Sequence, residues 1–170
     1  EAGALPYVKV GDMNLDENAN GIVTSSRFVD QTAKTAAATF PVGTTIFPKR
    51  GGAIATNKKR ITKVPICADL NVMGVSASAA LLPDLLFYYF LGIDLRDISN
   101  GSSIPQINNY SLEPLTISFP EAQAEQQSLV DRLMKLSGAV DEACAIRESK
   151  VAAITDLRQS LLHRAFTGQL

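Results

Sequence analysis

An apolar stripe in residues 121–170 most limits what this chain can fold into. Between Pro120 and Gly168 there is no further proline, and Gly138 is the one glycine. Leu129, Leu133, Leu136, Val140, Ala143, Ile154, Leu157 and Leu161 keep the three-and-four spacing of one helical face over several heptads. Val130, Cys144 and Val151 widen that face by a neighbouring row. Such a helix is ~60 to 70 Å long at a rise of ~1.5 Å per residue. Helices of compact domains usually run ~8 to 20 residues, so a domain of this size cannot cover this one on all sides. Part of the seam must meet another helix, in this chain or in a partner. Arg147 lies near the middle of the seam, with Glu148 and Lys150 close by, and a central polar position can fix register.

The 170 residues suffice for one domain with a core plus an appendage. A hydrophobic fraction of 46% suits a folded protein and argues against disorder. The most apolar run, residues 81–93, is too short for a membrane span and carries Pro83 and Asp84. The chain opens on Glu1 with no basic stretch or cleavage site, which predicts a piece of something longer. Cys67 and Cys144 sit in apolar settings and read as buried, reduced thiols of a cytoplasmic protein.

A net charge of -1 conceals a one-sided window. Residues 31–68 hold Lys34, Lys49, Arg50, Lys58, Lys59, Arg60 and Lys63, while all 17 acidic residues lie outside it. A local field of one sign in an otherwise acidic chain reads as a polyanion-facing surface. Its centre combines the paired glycines Gly51 and Gly52, preceded by Lys49 and Arg50, with Asn57 and the run Lys58, Lys59 and Arg60. Glycines admit close backbone approach. Lysine and arginine can hold phosphates, while arginine and asparagine can read base edges. Walker A spacing is absent, so nothing supports nucleotide hydrolysis.

Along the chain, strands are expected at 5–10, 22–23 with 28–29, 44–47, 61–66, 69–75 and 115–119, with a short helix over 32–39. Residues 84–91 read as a helix packed through Leu85, Phe87, Tyr88 and Leu91, whose aromatics favour core packing over base stacking. A second polar loop, residues 101–109, offers Ser102, Ser103 and Gln106 as uncharged contacts to phosphates or adenine edges; an ordinary connector fits it equally well. Catalytic sets are not evident. One histidine, His163, and two distant cysteines make neither a zinc site nor a nucleophilic pair. Asn108-Asn109-Tyr110 lacks the prolines of the amino-methyltransferase motif. Asp84 with Glu148 and Lys150 mimics a nuclease signature, but residues two apart on a helix do not share a face.

Four stretches carry a resemblance. Leu112, Leu115, Ile117, Phe119 and Pro120, followed by Gln123, Glu125, Gln126, Leu129 and Val130, resemble the boundary in specificity (S) subunits of type I restriction–modification systems, where a target recognition domain gives way to a long helix. Residues 161–170 are similar to that family's helix end, residues 6–12 to an early recognition-domain strand, and residues 101–108 to the segment before the last strand. The resemblance implies an α+β fold: a small mixed DNA-recognition domain over 1–119, truncated at its front, then a long C-terminal coiled-coil helix over 120–170. It implies sequence-specific recognition of double-stranded DNA at a bipartite target, docking of methyltransferase (M) subunits and, through them, of a restriction (R) subunit, without catalysis by this chain. S-adenosylmethionine, ATP and Mg are then expected only on partner subunits. The recognition part of a single-chain restriction–methyltransferase enzyme is the alternative. Family members carry two recognition domains and two antiparallel helices; with one of each here, a second copy is expected to supply the missing helix, giving a homodimer through Leu129, Leu133, Leu136, Val140, Arg147, Ile154, Leu157 and Leu161.

Overall fold

The computed structural model describes residues 4–32, 35, 38–101 and 103–168. Among the described residues, seven short strands and three α-helices alternate with 3-10 turns, so the fold is α+β with a long final helix. Backbone contacts divide the chain into two units, Glu1–Val130 and Asp131–Leu170.

The first unit holds two sheets. In one, β1 (Ala4–Val8) lies between β2 (Phe28–Asp30), antiparallel, and β6 (Ile66–Ala68), parallel, and β3 (Thr39–Phe40) closes the far edge antiparallel to β6. In the other, β4 (Thr45–Pro48) is central, antiparallel to β5 (Arg60–Ile61) and β7 (Val72–Val75). All four residues of β4 are buried, as a central strand covered on both faces requires. Val8, Met13, Ile22, Ile46, Ile66 and Val72 form a core to which both sheets contribute. The polar stretch after β1 is tied down from inside. Asp12 accepts the Lys9 and Ser26 N–H groups, and buried Asn18 bonds Asp12, Val23 and Thr24 through both ends of its amide. Burial pushes the Asp12 carboxyl up, but those N–H donors outweigh it and hold it below the ordinary range.

Several expectations are corrected. Residues 61–66 are not one strand. Pro65 has no N–H for a ladder, and the chain leaves β5 in one sheet to enter β6 in the other. Residues 115–119 keep the alternation of a strand, with Leu115, Ile117 and Phe119 half-buried and Thr116 and Ser118 exposed, yet they pair with no strand among the described residues. Their Thr116 carbonyl instead accepts the Tyr89 hydroxyl at 3.0 Å. Ile22 makes only a single parallel bridge, to Thr62. The helix expected over 32–39 falls on a stretch of which 33, 34, 36 and 37 lie outside the described residues; Thr39 already belongs to β3. In α1 (Pro83–Leu91), proline occupies the first turn, where its missing N–H has no partner to lose. Leu85, Leu86 and Phe90 are its buried residues, Leu91 is exposed, and Phe90 stacks on Phe47 at 5.4 Å.

After α2 (Asn109–Leu112), helix α3 runs over Gln123–Phe166. Its first turns belong to the first unit, and there Gln126 is completely buried beside buried Val130. The Gln126 Oε1 accepts the Leu82 N–H at 2.8 Å, and its Nε2 donates to the carbonyls of Ala80 and Pro120, each at 2.8 Å. One amide thereby satisfies the segment before α1 and the entry to α3. The second unit is the rest of the helix. Leu136, Val140, Ile154, Leu157 and Leu161 are exposed along it, as are Arg147 and Cys144, so of the two thiols Cys67 alone is buried. No described helix is long and apolar enough to cross a membrane.

Gln126→Ala should lower stability in urea by about 3 kcal/mol, because each buried polar group left without a partner costs on the order of 1 to 3 kcal/mol. Gln126→Glu should also destabilise, since a carboxylate cannot donate to the two carbonyls. An unchanged urea midpoint for both variants would remove Gln126 as the anchor.

Candidate nucleic-acid interface

The basic window does not fold into one basic surface. Strand β4 ends at Pro48, and the chain turns through Lys49 and Arg50 into a 3-10 helix over Gly51–Thr56. Gly51 has φ +68°, a conformation that side chains disfavour, while Gly52 has no such constraint and open space around it. Asn57 ends the turn in the left-handed region at φ 52°, which asparagine tolerates. Its Oδ1 accepts the Leu95 N–H at 2.9 Å and the Lys59 ammonium at 2.7 Å.

Lys59 is 2% exposed, and its ammonium also donates to the Ile93 carbonyl at 2.5 Å. Burial pushes its pKa down and nearby Asp94 opposes the shift. Arg96 holds the Asp94 carboxyl at about 2 through its guanidinium and N–H, with Lys59 adding to the effect. Arg60 is half-buried. Its Nε and Nη1 donate to the carbonyls of Asn18 and Lys59, each at 3.0 Å, and burial pushes its pKa down. Asn57, Lys59 and Arg60, read from sequence as contacts to a polyanion, are therefore internal fastenings. Lys63 lies 3.8 Å from Asp84. Lys58 is at the surface with its ammonium on the Asn14 side chain. Lys34 is outside the described residues.

The structure does bring together residues that the sequence offered from two separate loops. Gly51 N–H bonds the Pro105 carbonyl at 2.8 Å, and Ile107 N–H bonds the Lys49 carbonyl at 2.9 Å. These bonds flank an antiparallel bridge in which Arg50 and Gln106 stand opposite one another, both exposed. Gly101 makes this possible. Its φ is +95°, and a Cβ there would lie 2.8 Å from the Ile104 carbonyl oxygen. Ser103 is exposed on the same loop, and Ser102 lies outside the described residues.

Beside the bridge is an open cleft of about 300 Å³, lined by Lys49, Arg50, Gln106, Asn108, Asn109 and Tyr110 over an apolar floor of Met73 and Ile107. Asn108 caps α2 by accepting the Ser111 N–H, and Tyr110 is 77% exposed. Asn108, Asn109 and Tyr110 were not picked from sequence as contacts, although Asn108 and Asn109 fall in the polar loop read over 101–109. The arrangement offers cations, amides and an aromatic ring around a groove, which suits recognition of phosphates and base edges. Among the described residues no cluster of His, Cys, Asp or Glu is placed to hold a metal ion.

Residues 1–144 match the family model Methylase_S, the type I restriction modification DNA specificity domain. The chain belongs to this family. No curated protein matches it. A solved chain from work described as "Structural basis underlying complex assembly and conformational transition of the type I R-M system" matches with a TM-score of 0.67 at 18% identity. That match covers all of this chain and 40% of the other, so this chain spans less than half the length of that neighbour.

Lys59→Ala should destabilise the fold by about 1 to 3 kcal/mol, by leaving the Ile93 carbonyl and Asn57 Oδ1 short of a donor. It should leave the salt dependence of DNA binding unchanged. Thermal melts and a salt titration check both halves; a shallower slope at unchanged stability returns Lys59 to the surface.

Proposed function

We propose that this chain is a sequence-reading module of a type I restriction–modification assembly, which binds double-stranded DNA and docks methyltransferase subunits while carrying out no chemistry itself. The observation that carries this reading is the bridge placing Arg50 beside Gln106, both exposed, next to the cleft at Lys49. Arginine suits guanine and glutamine suits adenine in the major groove. Lys49, Arg50, Gly51, Gly52, Lys58, Ser103 and Gln106 then form the DNA-facing set. S-adenosylmethionine, ATP and Mg belong to the methyltransferase and restriction subunits of the complex. Residues 1–119 act as the recognition domain and 120–170 as the helix that spaces it from a second one.

The slope of log affinity against log salt scales with the number of phosphates neutralised, at about 0.9 per phosphate. The double change Lys49→Ala and Lys58→Ala should therefore lower it by ~1 to 2 units. A titration with an unaltered slope removes both from the interface.

The helix is proposed to pair with a second copy, two-fold and antiparallel, so that Arg147 meets Glu148 of the partner copy near the centre. Support comes from exposure: Leu136 is 64% and Ile154 67% accessible on a helix of 44 residues. Sedimentation equilibrium should give a dimer at tens of micromolar, and Leu133→Asp with Val140→Asp should give monomers, because buried unpaired charge is costly. A monomeric unmodified chain would reserve the seam for another subunit.

A further inference from the structure

Gln106 is bridged on both sides. On one flank stands Arg50, as described. On the other, Asn100 N–H donates to the Gln106 carbonyl at 2.8 Å and Gln106 N–H donates to the Asn100 carbonyl at 2.7 Å. The two bridges are of different kinds. Arg50 and Gln106 are a non-hydrogen-bonded antiparallel pair, with Cα atoms ~4.5 Å apart, and Gln106 and Asn100 a hydrogen-bonded pair, ~5.5 Å apart. Residues directly opposite in antiparallel strands present their side chains on the same face. Arg50, Gln106 and Asn100 therefore stand abreast in one row, and all three are exposed.

We infer that this row is a three-position reader of consecutive base pairs, with Asn100 as a further specificity-determining residue. The inference rests on the DNA-recognition reading above and sharpens it. Arginine pairs bidentately with guanine O6 and N7, and glutamine and asparagine with adenine N6 and N7. The row predicts a run of one G·C pair followed by two A·T pairs in the part of the target that this module reads. Its span of ~10 Å compares with ~7 Å for two base-pair steps, and the reach of the arginine side chain closes the difference. The span of the row stays within the ~12 Å width of the major groove. Every bond that holds the row is a backbone bond, so each side chain can be changed without removing the ladder.

The test uses the complete restriction–modification system that contains this chain. Methylome sequencing of a host carrying it gives the motif, and the purified complex is then titrated with duplexes in which each base pair of that motif is changed singly. Arg50→Ala, Gln106→Ala and Asn100→Ala should each relax discrimination at one position by about 5- to 150-fold. The three positions should be consecutive, G·C first. Gly101→Ala, whose Cβ would strain the loop that joins Asn100 to Gln106, should relax the positions read by those two together. The inference is overturned if the motif lacks such a run, if the relaxed positions are not neighbours, if Asn100→Ala leaves discrimination intact, or if losses are equal on the motif and on random DNA. Any of those outcomes leaves the DNA-recognition reading standing. Absence of any methylated motif with the unmodified system overturns both.

Discussion

The fully buried amide of Gln126 is the interaction on which the first unit's architecture turns. Residues 121–125, leading into α3, are exposed, but Gln126 is buried, and a buried amide must find its partners within the domain. Gln126 meets this demand with three bonds, to Leu82 N–H and to the carbonyls of Ala80 and Pro120. It ties the segment ahead of α1 to the first turns of α3, and α1 in turn places Phe90 against Phe47 of the central strand β4. Asparagine is a methylene shorter, and glutamate lacks the donor. The run Gln123, Glu125, Gln126, Leu129 and Val130 thus has a physical meaning, since two of its members are the buried residues of α3.

The positive charges obey a different logic. Seven cations without an acid nearby look like one surface when spread along a line, but folding sorts them by depth. Lys59 gives its ammonium to Ile93 and Asn57, and Arg60 gives its guanidinium to backbone carbonyls of Asn18 and Lys59. Their long side chains serve as donors that reach buried oxygens. Lys49 and Arg50 border the cleft instead. Charge density in sequence therefore carries no information on depth, and only part of the basic window stays available at the surface.

Periodicity made the long helix, α1 and most strand sites legible, because burial on one face leaves its imprint on local spacing. Local spacing says nothing about which strand a segment meets. Residues 115–119 alternate as a strand does and find no ladder, and residues 61–66 read as one strand although Pro65 divides them between sheets. The same blindness hid Asn100. It lies just before the polar loop read over 101–109, and its place depends on a loop closed by Gly101 and on a bridge to Gln106, which is itself bridged to Arg50 from a distant loop. Cys144 misled for the opposite reason. Its apolar neighbours belong to a helix face that the chain itself leaves exposed.

Stability and recognition are separable at some of these positions and fused at others. Arg50, Gln106 and Asn100 join the row through main-chain groups, so the ladder would persist under many choices of side chain. Gly101 has no such latitude, since both its φ of +95° and the Ile104 carbonyl exclude a Cβ. Asn57 and Lys59 are likewise committed, because their polar atoms complete other residues' hydrogen bonds. Under the proposed reading, such a module would change the bases it reads by altering the outward members of the row while the glycine and the buried polar fastenings stay fixed. Side chains whose backbone, and not whose functional group, supports the fold are the ones that such a change leaves free to vary.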